Sequence, residues 1–336
     1  MPISDMAIEV SDLRKSYRGA ADGAGLDGID LRVPAGSVCG LLGPNGAGKT
    51  TTVRILSTLL RFDSGAARVA GYDVRREPRR VRENIGLVGQ NAAVDEVLSG
   101  RQNLVMFGRL NGLAPVLAQR RADELLEQFD LATAARRPVG KYSGGMRRRL
   151  DLAAGLIVSP PVLFVDEPTT GLDPAARMQV WSAIEALVAA GTTVLLTTQY
   201  LEEADRLADR IVMLSHGRVV AEGSPAELKA RVGTDRLEVT LADPADAERT
   251  AMLAEAVATG EVTVDPQSLM VCIPVTDRAT ALVTMAAALR DSGIAPHDLT
   301  VRRPSLDEVF VQLTTAGRES RTAAGRESAE HGKVSA

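Results

Sequence analysis

The chain has 336 residues, enough for two domains, and its 45% hydrophobic and 24% charged residues are typical of a globular protein. A formal net charge of −4 gives no electrostatic support for a nucleic-acid partner. Two cysteines, Cys39 and Cys272, exclude a disulfide framework and favour a reducing compartment.

The N-terminus has no apolar signal-peptide core, and no apolar run is long enough to span a bilayer. The best candidate, LAAGLIVSPPVLFV, is interrupted by Pro160 and Pro161. If the protein works at a membrane, we therefore expect another chain to cross it.

Short apolar runs alternate with longer amphipathic stretches from residue 7 to about residue 230. The runs VCGLLG, VLFVDE, TVLLTT and RIVML are strand-like and several are apolar throughout. Strands buried on both faces have this pattern. We therefore predict an α/β fold with a largely parallel sheet covered by helices.

The first motif is GPNGAGKTT, between the apolar strand VCGLL and the helix-like run TVRILSTLL. This is the context that a phosphate-binding loop requires. Glycines let backbone N–H groups turn towards phosphate oxygens, Lys49 adds a positive charge, and the Thr50 hydroxyl suits Mg²⁺. The predicted nucleotide-binding residues are Gly43, Pro44, Asn45, Gly46, Ala47, Gly48, Lys49, Thr50 and Thr51.

The next motif, YSGGMRRRLDLAAGL, opens a predicted helix with Ser143 as its N-cap. Bare N–H groups and a serine hydroxyl at a helix start can form a second anion site, although a well-capped helix alone explains the pattern too.

Three consecutive arginines follow in this helix: Arg147, Arg148 and Arg149. We interpret them as a solvated helix face, in preference to a basic patch for anionic lipid or a membrane partner.

The strand VLFVDEP ends in two carboxylates. Asp166 is suited to hold Mg²⁺ and Glu167 to act as general base on an attacking water. A solvated acidic turn is the alternative for this pair taken alone, and the phosphate loop upstream favours the catalytic interpretation.

Gln199 follows the strand-like run TVLLTT, in LLTTQYLEEADRLADRIVML. A glutamine at a strand end is either loop surface or a ligand contact in front of the sheet.

Three other residues have ordinary structural interpretations. We interpret His216 as a turn residue, Cys39 as a small core residue and Trp181 as packing.

A small α+β module is predicted from residue 236 to about residue 314. Its strands are LEVTLA, EVTVDPQ, LMVCIPV and DLTVRRP, and its helices are AERTAMLAEAVA, ATALVTMAAALRDSG and SLDEVFVQLT. From about Ala316 the chain is polar and repeats AGRES, which predicts a disordered tail.

In order along the chain, GPNGAGKTT, Gln90, YSGGM, VLFVDEP and GLD resemble the ATP-binding subunit of an ABC transporter, and YSGGM looks like a variant of the LSGGQ signature. The resemblance implies a P-loop ABC-type nucleotide-binding domain with an α-helical signature subdomain at 7–232. A C-terminal α+β accessory module at 233–315 and a tail at 316–336 complete the expected organisation.

The family resemblance also implies that two copies pair head to tail around ATP. Ser143, Gly144 and Gly145 of one copy would then contact the γ-phosphate held by Lys49 of the other. The loop that communicates across such a dimer corresponds to Asp173 in GLD.

Two further positions match the family. Tyr17 corresponds to the aromatic residue that stacks on adenine, with an edge-strand surface tyrosine as the alternative. Gln90 corresponds to the glutamine that reaches Mg²⁺ and the attacking water while its loop touches the membrane subunit. The implied metal-contacting set is Thr50, Gln90 and Asp166.

A narrower resemblance, to the daunorubicin/doxorubicin-resistance branch, rests on QNLVMFGRL, YSGGMRRRLD, DEPTTGLDP, TTQYLEEAD and RRPSLDEVF. It implies a separate membrane permease and places Gln199 where most ABC ATPases have a histidine that contacts the γ-phosphate. An amide can orient a water but cannot take up a proton near neutral pH, which leaves Glu167 as the base.

The resulting prediction is an ATP-hydrolysing subunit of a bacterial exporter of a drug or natural product. We expect Mg²⁺ as cofactor, a homodimer, an integral membrane permease as partner, no nucleic acid, and a position on the cytoplasmic face of the membrane. A lipid, peptide or polysaccharide cargo is the alternative. A soluble ABC ATPase acting on ribosomes or DNA is disfavoured by the single set of motifs and the lack of a heptad run.

Overall fold

The computed structural model describes residues 5–17, 25–90, 93–231 and 235–310. The described residues as far as Pro225 form one compact unit, and those from Ala226 onward form a second. The predicted disordered tail at 316–336 lies outside the described residues, and the predicted domain boundary after residue 232 stays a prediction.

Ten strands and seven α-helices are described in the first unit. The strands are β1 (Met6–Ser16), β2 (Gly25–Pro34), β3 (Val38–Leu42), β4 (Ser64–Val69), β5 (Tyr72–Asp73), β6 (Ile85–Val88), β7 (Val162–Asp166), β8 (Thr193–Thr198), β9 (Arg210–Ser215) and β10 (Arg218–Gly223). The helices are α1 (Lys49–Leu56), α2 (Pro78–Glu83), α3 (Gly100–Leu110), α4 (Pro115–Gln128), α5 (Gly144–Gly155), α6 (Pro174–Ala189) and α7 (Leu201–Leu207), and α8 (Pro225–Ala230) follows.

The main sheet has six strands in the order β10-β9-β3-β8-β7-β6. All neighbours are parallel except the hairpin of β9 and β10. Every residue of β3, β7 and β8 is buried, which explains their continuous apolar runs. The predicted largely parallel α/β sheet is confirmed, and the carboxyl ends of these three strands lie side by side.

A second, antiparallel sheet, in the order β2-β1-β4-β5, was not predicted. Its buried side chains, among them Ile8, Leu13 and Ile29, join one core with Phe164 and Leu195 of the main sheet. Helix α1 packs against strands of both sheets. Helix α1 is therefore packed by strands of the second sheet as well as by the parallel strands β7 and β8.

Helices α3, α4 and α5 pack on one another and form the predicted helical subdomain. Helix α3 begins with a capping box between Ser99 and Gln102. Asn103 is fully buried, and its side chain exchanges hydrogen bonds with the backbone of Asp95 and donates to the carbonyl of Ser99. These contacts fix the approach of the chain to α3.

The second unit is the predicted α+β module. Its strands are β11 (Asp235–Leu241), β12 (Thr263–Asp265), β13 (Met270–Val275) and β14 (Pro296–Arg302), and its longer helices are α9 (Ala247–Ala254) and α10 (Arg278–Asp291). The strands form an antiparallel sheet in the order β12-β13-β11-β14. Its own core contains Leu237, Val239, Ile273, Met285 and Leu289.

The helices within the described ranges are all too short or too polar to cross a membrane.

Candidate nucleotide-binding and hydrolysis site

The predicted phosphate loop connects the end of β3 to the start of α1. Gly46 and Gly48 have φ angles of +83° and +110°, a left-handed conformation that favours glycine. At Gly43 there is no room for a side chain, because a Cβ atom would lie 2.4 Å from the carbonyl oxygen of Leu214. These glycines are therefore required by the shape of the loop.

Lys49 begins α1 and is only 5% exposed. Its Nζ donates to the carbonyl oxygens of Gly43 at 2.6 Å and Pro44 at 3.2 Å, so the ammonium group lies within the loop. Burial lowers the pKa of Lys49, while Glu167 and Asp166 act in the opposite direction. A cation held in this way is suited to bind phosphate oxygens.

The Asp166 carboxylate, at the end of β7, lies directly beside α1. Its Oδ1 accepts hydrogen bonds from Thr50 Oγ1 at 3.3 Å and from Thr197 Oγ1. Register places Thr197 of β8 opposite Asp166, which explains the second contact. Hydroxyl and carboxylate oxygens at this spacing are the donors that Mg²⁺ prefers.

The backbone of Glu167 is left-handed, with φ +48°, and its N–H donates to the carbonyl and hydroxyl oxygens of Thr197 at 3.1 and 3.2 Å. Glu167 Oε2 accepts from Gln90 Nε2 at 3.2 Å and from Thr170 Oγ1 at 3.3 Å. The turn after β7 thus brings the predicted base to the predicted loop glutamine.

Gln199 is exposed and directly follows β8. Its neighbour Thr198 is paired in register with Leu42, the residue before Gly43. Gln199 therefore lies at the same sheet edge as the start of the phosphate loop. Its predicted contact with the γ-phosphate stays a prediction.

Tyr17 follows β1 and its hydroxyl lies 3.2 Å from Thr51 Oγ1, at the start of α1. Tyr17 is 40% exposed. Asp63 anchors the preceding residues by accepting from Lys15 Nζ at 2.8 Å and Ser16 N at 2.7 Å, and these hydrogen bonds lower the pKa of Asp63 to about 2. The exposed ring beside the loop fits an adenine platform, a role that also stays a prediction.

The signature residues form a second cluster. Ser143 is the N-cap of α5, and its Oγ accepts from the N–H of Met146 at 3.2 Å. Asp173 is the N-cap of α6, and its Oδ1 accepts from the N–H of Ala176 at 2.8 Å. A Cβ atom on Gly145 would lie 2.7 Å from Ala176 Cβ, so the starts of the two helices are in close contact.

Ser143 and Gly144 are exposed, whereas Gly145 is buried. An exposed helix start with a serine cap leaves backbone N–H groups available to an anion from outside the chain. The arrangement is compatible with a site completed by a second copy.

The interpretation of the arginine run was wrong for two of its three residues. Arg147 is partly exposed and pairs with Glu96 at 2.9 Å, as on a solvated face. Arg148 and Arg149 are only 7% and 8% exposed. Helix α5 packs against α3, α4 and α6 and near β6, so its arginines are enclosed by protein.

A buried carboxylate near the site was not predicted from the sequence. Glu203 of α7 is fully buried, and its Oε1 accepts from Trp181 Nε1 at 2.9 Å and Thr169 Oγ1 at 2.7 Å. Trp181 is buried as predicted, but it is also a hydrogen-bond donor. The sequence LEEAD could not predict the burial of Glu203, because its three charged residues are typical of an exposed helix.

Comparison with known proteins gives two family matches. The model of the ABC transporter family matches residues 26–170, and that of the C-terminal domain of DrrA1-3-like ATP-binding proteins matches residues 223–314. The daunorubicin resistance ATP-binding protein DrrA2 of Streptomyces coeruleorubidus is 57% identical to this chain, covering 95% of it and 99% of the relative.

The chain belongs to the ATP-binding subunits of ABC transporters. The doxorubicin resistance ATP-binding protein DrrA of Mycobacterium tuberculosis is 49% identical, covering 95% of the chain and 96% of that relative. The resemblance to the daunorubicin/doxorubicin-resistance branch is therefore confirmed.

A solved structure shows the same fold as this ABC-transporter ATP-binding subunit. It is cbiO1 from Clostridium perfringens, part of the ABC transporter complex cbiONQ, with a TM-score of 0.62 and 28% identity. The match covers 68% of this chain and 92% of cbiO1. The predicted P-loop ABC-type fold is confirmed.

Proposed function

We propose that this subunit hydrolyses ATP to drive export through a separate membrane permease. The observation that carries the proposal is the contact between Glu167 and Gln90, next to the pair of Thr50 and Asp166. It puts a candidate base, a water-orienting amide and a metal-binding pair at the mouth of the phosphate loop that holds Lys49.

The residues fit Mg²⁺, because the Thr50 hydroxyl and the Asp166 carboxylate are hard oxygen donors 3.3 Å apart and the Gln90 amide oxygen can add a third. When bound, Mg²⁺ neutralises charge on the β- and γ-phosphates. Lys49 and the loop N–H groups hold these phosphates for in-line attack by water.

The chain's own residues carry the proton chemistry. The Glu167 carboxylate takes a proton from the attacking water as the water oxygen bonds to the γ-phosphorus and the bond to the β,γ-bridging oxygen breaks. Gln90 and Gln199 orient that water with their amides. Neither amide accepts a proton near neutral pH, so Glu167 acts as the base.

Two copies pair head to tail in the working complex, with Ser143, Gly144 and Gly145 of one copy completing the phosphate site of the other. Asp173 lies beside this surface and is positioned to sense the partner. ATP favours the closed pair because it binds that state more tightly, and hydrolysis releases it. The pair acts on an integral membrane permease at the cytoplasmic face of the membrane, as a translocase.

The cargo is a drug or natural product, in line with relatives named for daunorubicin and doxorubicin resistance. A lipid, peptide or polysaccharide remains the alternative, because the permease selects the cargo. Efflux of labelled candidates from cells that express the chain with its permease distinguishes these classes.

Replacing the base tests the proposal. We expect Glu167→Gln to retain ATP binding, to lose phosphate release by about a hundredfold or more, and to accumulate as an ATP-bound dimer. Size-exclusion chromatography with and without ATP measures the dimer. Glu83→Gln, at an exposed surface pair with Arg79, is the matched control. A Glu167→Gln monomer at saturating ATP, or undiminished phosphate release, contradicts the assignment.

A further inference from the structure

Helix α5 has a buried ion pair on the side facing the hydrolysis site. Arg148 and Asp151 are 7% and 3% exposed, and Arg148 Nη1 lies 3.4 Å from Asp151 Oδ2. Burial lowers the pKa of Arg148 and raises that of Asp151, so each charged group depends on its partners inside the protein.

The guanidinium of Arg148 reaches out of its helix to three backbone carbonyls. Nη1 donates to Gly89 at 2.6 Å, Nη2 to Asp166 at 2.9 Å and Nε to Pro168 at 2.8 Å. Gly89 is the residue before Gln90, whereas Asp166 and Pro168 are the residues on either side of Glu167. A single planar group therefore fixes the backbone next to both members of the Gln90–Glu167 contact.

Asp151 holds the other side of the same loop. Its Oδ1 accepts from the N–H of Ala93 at 2.8 Å. The loop of Gln90 is thus bound to α5 at Gly89 by the arginine and at Ala93 by the aspartate. Movement of α5 relative to the sheet would be passed to both attachment points.

We propose that Arg148 and Asp151 are positioning residues that hold Gln90 and Glu167 in register and couple them to the signature helix. The coupling runs within one chain, from the helix that Ser143 caps to the base, and it rests on the proposed ATP hydrolysis. Neither residue touches the nucleotide in this scheme. Only arginine offers a rigid set of donors for three separate carbonyls, so lysine cannot replace it.

Arg149 provides a matched control one residue away. It is equally buried, at 8% exposed, and its Nη1 donates to the carbonyl of Phe129 at 2.8 Å. That residue follows α4 and is neither part of the Gln90 loop nor next to Glu167. Arg149→Lys therefore loses a buried guanidinium without loosening the proposed clamp.

The first test is a double-mutant cycle on ATP turnover. We expect Arg148→Lys to lower kcat about tenfold while KM for Mg-ATP stays within about twofold, since positioning is lost and nucleotide contacts remain. In a Gln90→Ala background the same change should lower kcat by a smaller factor than in wild type, because the contact between Gln90 and Glu167 that Arg148 holds in register is already lost. Arg149→Lys should have the same small effect in either background. If the fold-losses in kcat caused by Arg148→Lys and Gln90→Ala simply multiply in the double variant, the two residues act independently and the proposal is overturned.

The second test does not depend on hydrolysis. Hydrogen exchange of a peptide spanning residues 86–98 is measured in the nucleotide-free protein. We expect faster exchange in Arg148→Lys than in wild type, and wild-type exchange in Arg149→Lys. Unchanged exchange in Arg148→Lys refutes the clamp even in an active ATPase. Exchange can be faster in Arg148→Lys even if the wild-type protein hydrolyses no ATP. That result would support the clamp and refute the proposed function.

Asp151→Asn is the milder second variant, for use where Arg148→Lys lowers the folded fraction. An amide oxygen still accepts from Ala93 N, while the charged partner of Arg148 is lost. We expect a smaller fall in kcat than for Arg148→Lys, and a still smaller one in the Gln90→Ala background. A fall of equal size in both backgrounds argues against the coupling.

Discussion

Glu167 shows how one strained residue can position a functional group. A left-handed backbone at a non-glycine residue costs about 1–3 kcal/mol and persists only where neighbouring contacts impose it. Here the two hydrogen bonds from its N–H to Thr197 impose it. The chain therefore turns sharply after Asp166, and the carboxylate lies beside Gln90 instead of continuing the line of β7.

Gln199 provides a prediction at the same scale. We expect Gln199→Ala to lower turnover by about ten- to a hundredfold, because one or two oriented hydrogen bonds are lost. Each tenfold fall in rate corresponds to about 1.4 kcal/mol of activation free energy. ATP affinity should change far less, since the amide orients the water more than it binds the ground state. Turnover and ATP binding at saturating Mg²⁺ measure the two effects.

The histidine variant at this position separates orientation from proton transfer. We expect Gln199→His to retain substantial activity and to add a titrating group near neutral pH. A new limb in the pH profile of turnover should then appear in this variant and be absent from wild type. Unchanged turnover in Gln199→Ala would make Gln199 an ordinary surface residue at a strand end.

Single-residue roles were predictable wherever a motif fixed both residue type and context. Lys49, Asp166 and Glu167 lie at strand ends or a helix start, where the sequence placed them. Arg148 was not predictable, because consecutive arginines on a helix normally face water. Its burial depends on carbonyls that lie about 20 residues ahead in VLFVDEP and about 60 residues back at Gly89, and no local pattern contains them.

Among the elements, the parallel strands were predictable and the antiparallel sheet was not. Strand β3 is apolar throughout, β7 is apolar up to Asp166 and β8 has an apolar centre, because both faces of these strands are covered. Strands β1 and β2 mix buried and exposed positions, and β1 contains irregular register. The pairing of β1 with β4 joins residues far apart in sequence, so periodicity alone could not reveal this sheet.

The close contact between α5 and α6 gives a prediction at the element scale. Gly145→Ala should destabilise the protein by about 1–3 kcal/mol, because its Cβ would lie 2.7 Å from Ala176 Cβ. Gly144→Ala is the matched control, since its Cβ would meet only Leu172 Cδ2, at 3.4 Å. Alanine also suits a helix better than glycine does.

Thermal unfolding of the two variants measures the difference, at about 2–4 °C per kcal/mol for a unit of this size. We expect a Tm several degrees lower for Gly145→Ala and a wild-type or slightly higher Tm for Gly144→Ala. Equal Tm values would mean that the two helix starts can separate at little cost, and that α5 and α6 are not rigidly joined.

At the scale of the whole molecule, the chain consists of two units with separate cores, and the candidate nucleotide site lies in only one of them. The phosphate loop, the acidic strand end and the signature helix all belong to the first. The second has a complete core of its own, with Val239, Ile273 and Met285 buried, and none of the predicted nucleotide-binding residues. Sequence periodicity predicted this module, but nothing in the part of it that the structure describes indicates a ligand chemistry.

The last segment of the second unit gives the prediction at this scale. Leu306 and Val309 in RRPSLDEVF are 3% and 0% exposed, so this segment contributes buried side chains. We expect deletion of residues 302–314 to impair assembly of the dimer with its permease while ATP binding by the first unit is retained. Deletion of residues 316–336 should have little effect, because that stretch is polar and lacks core-forming residues. We compare the two truncations by co-purification with the permease, by nucleotide binding and by drug resistance in cells. Loss of resistance to the same degree in both truncations would contradict this division of roles.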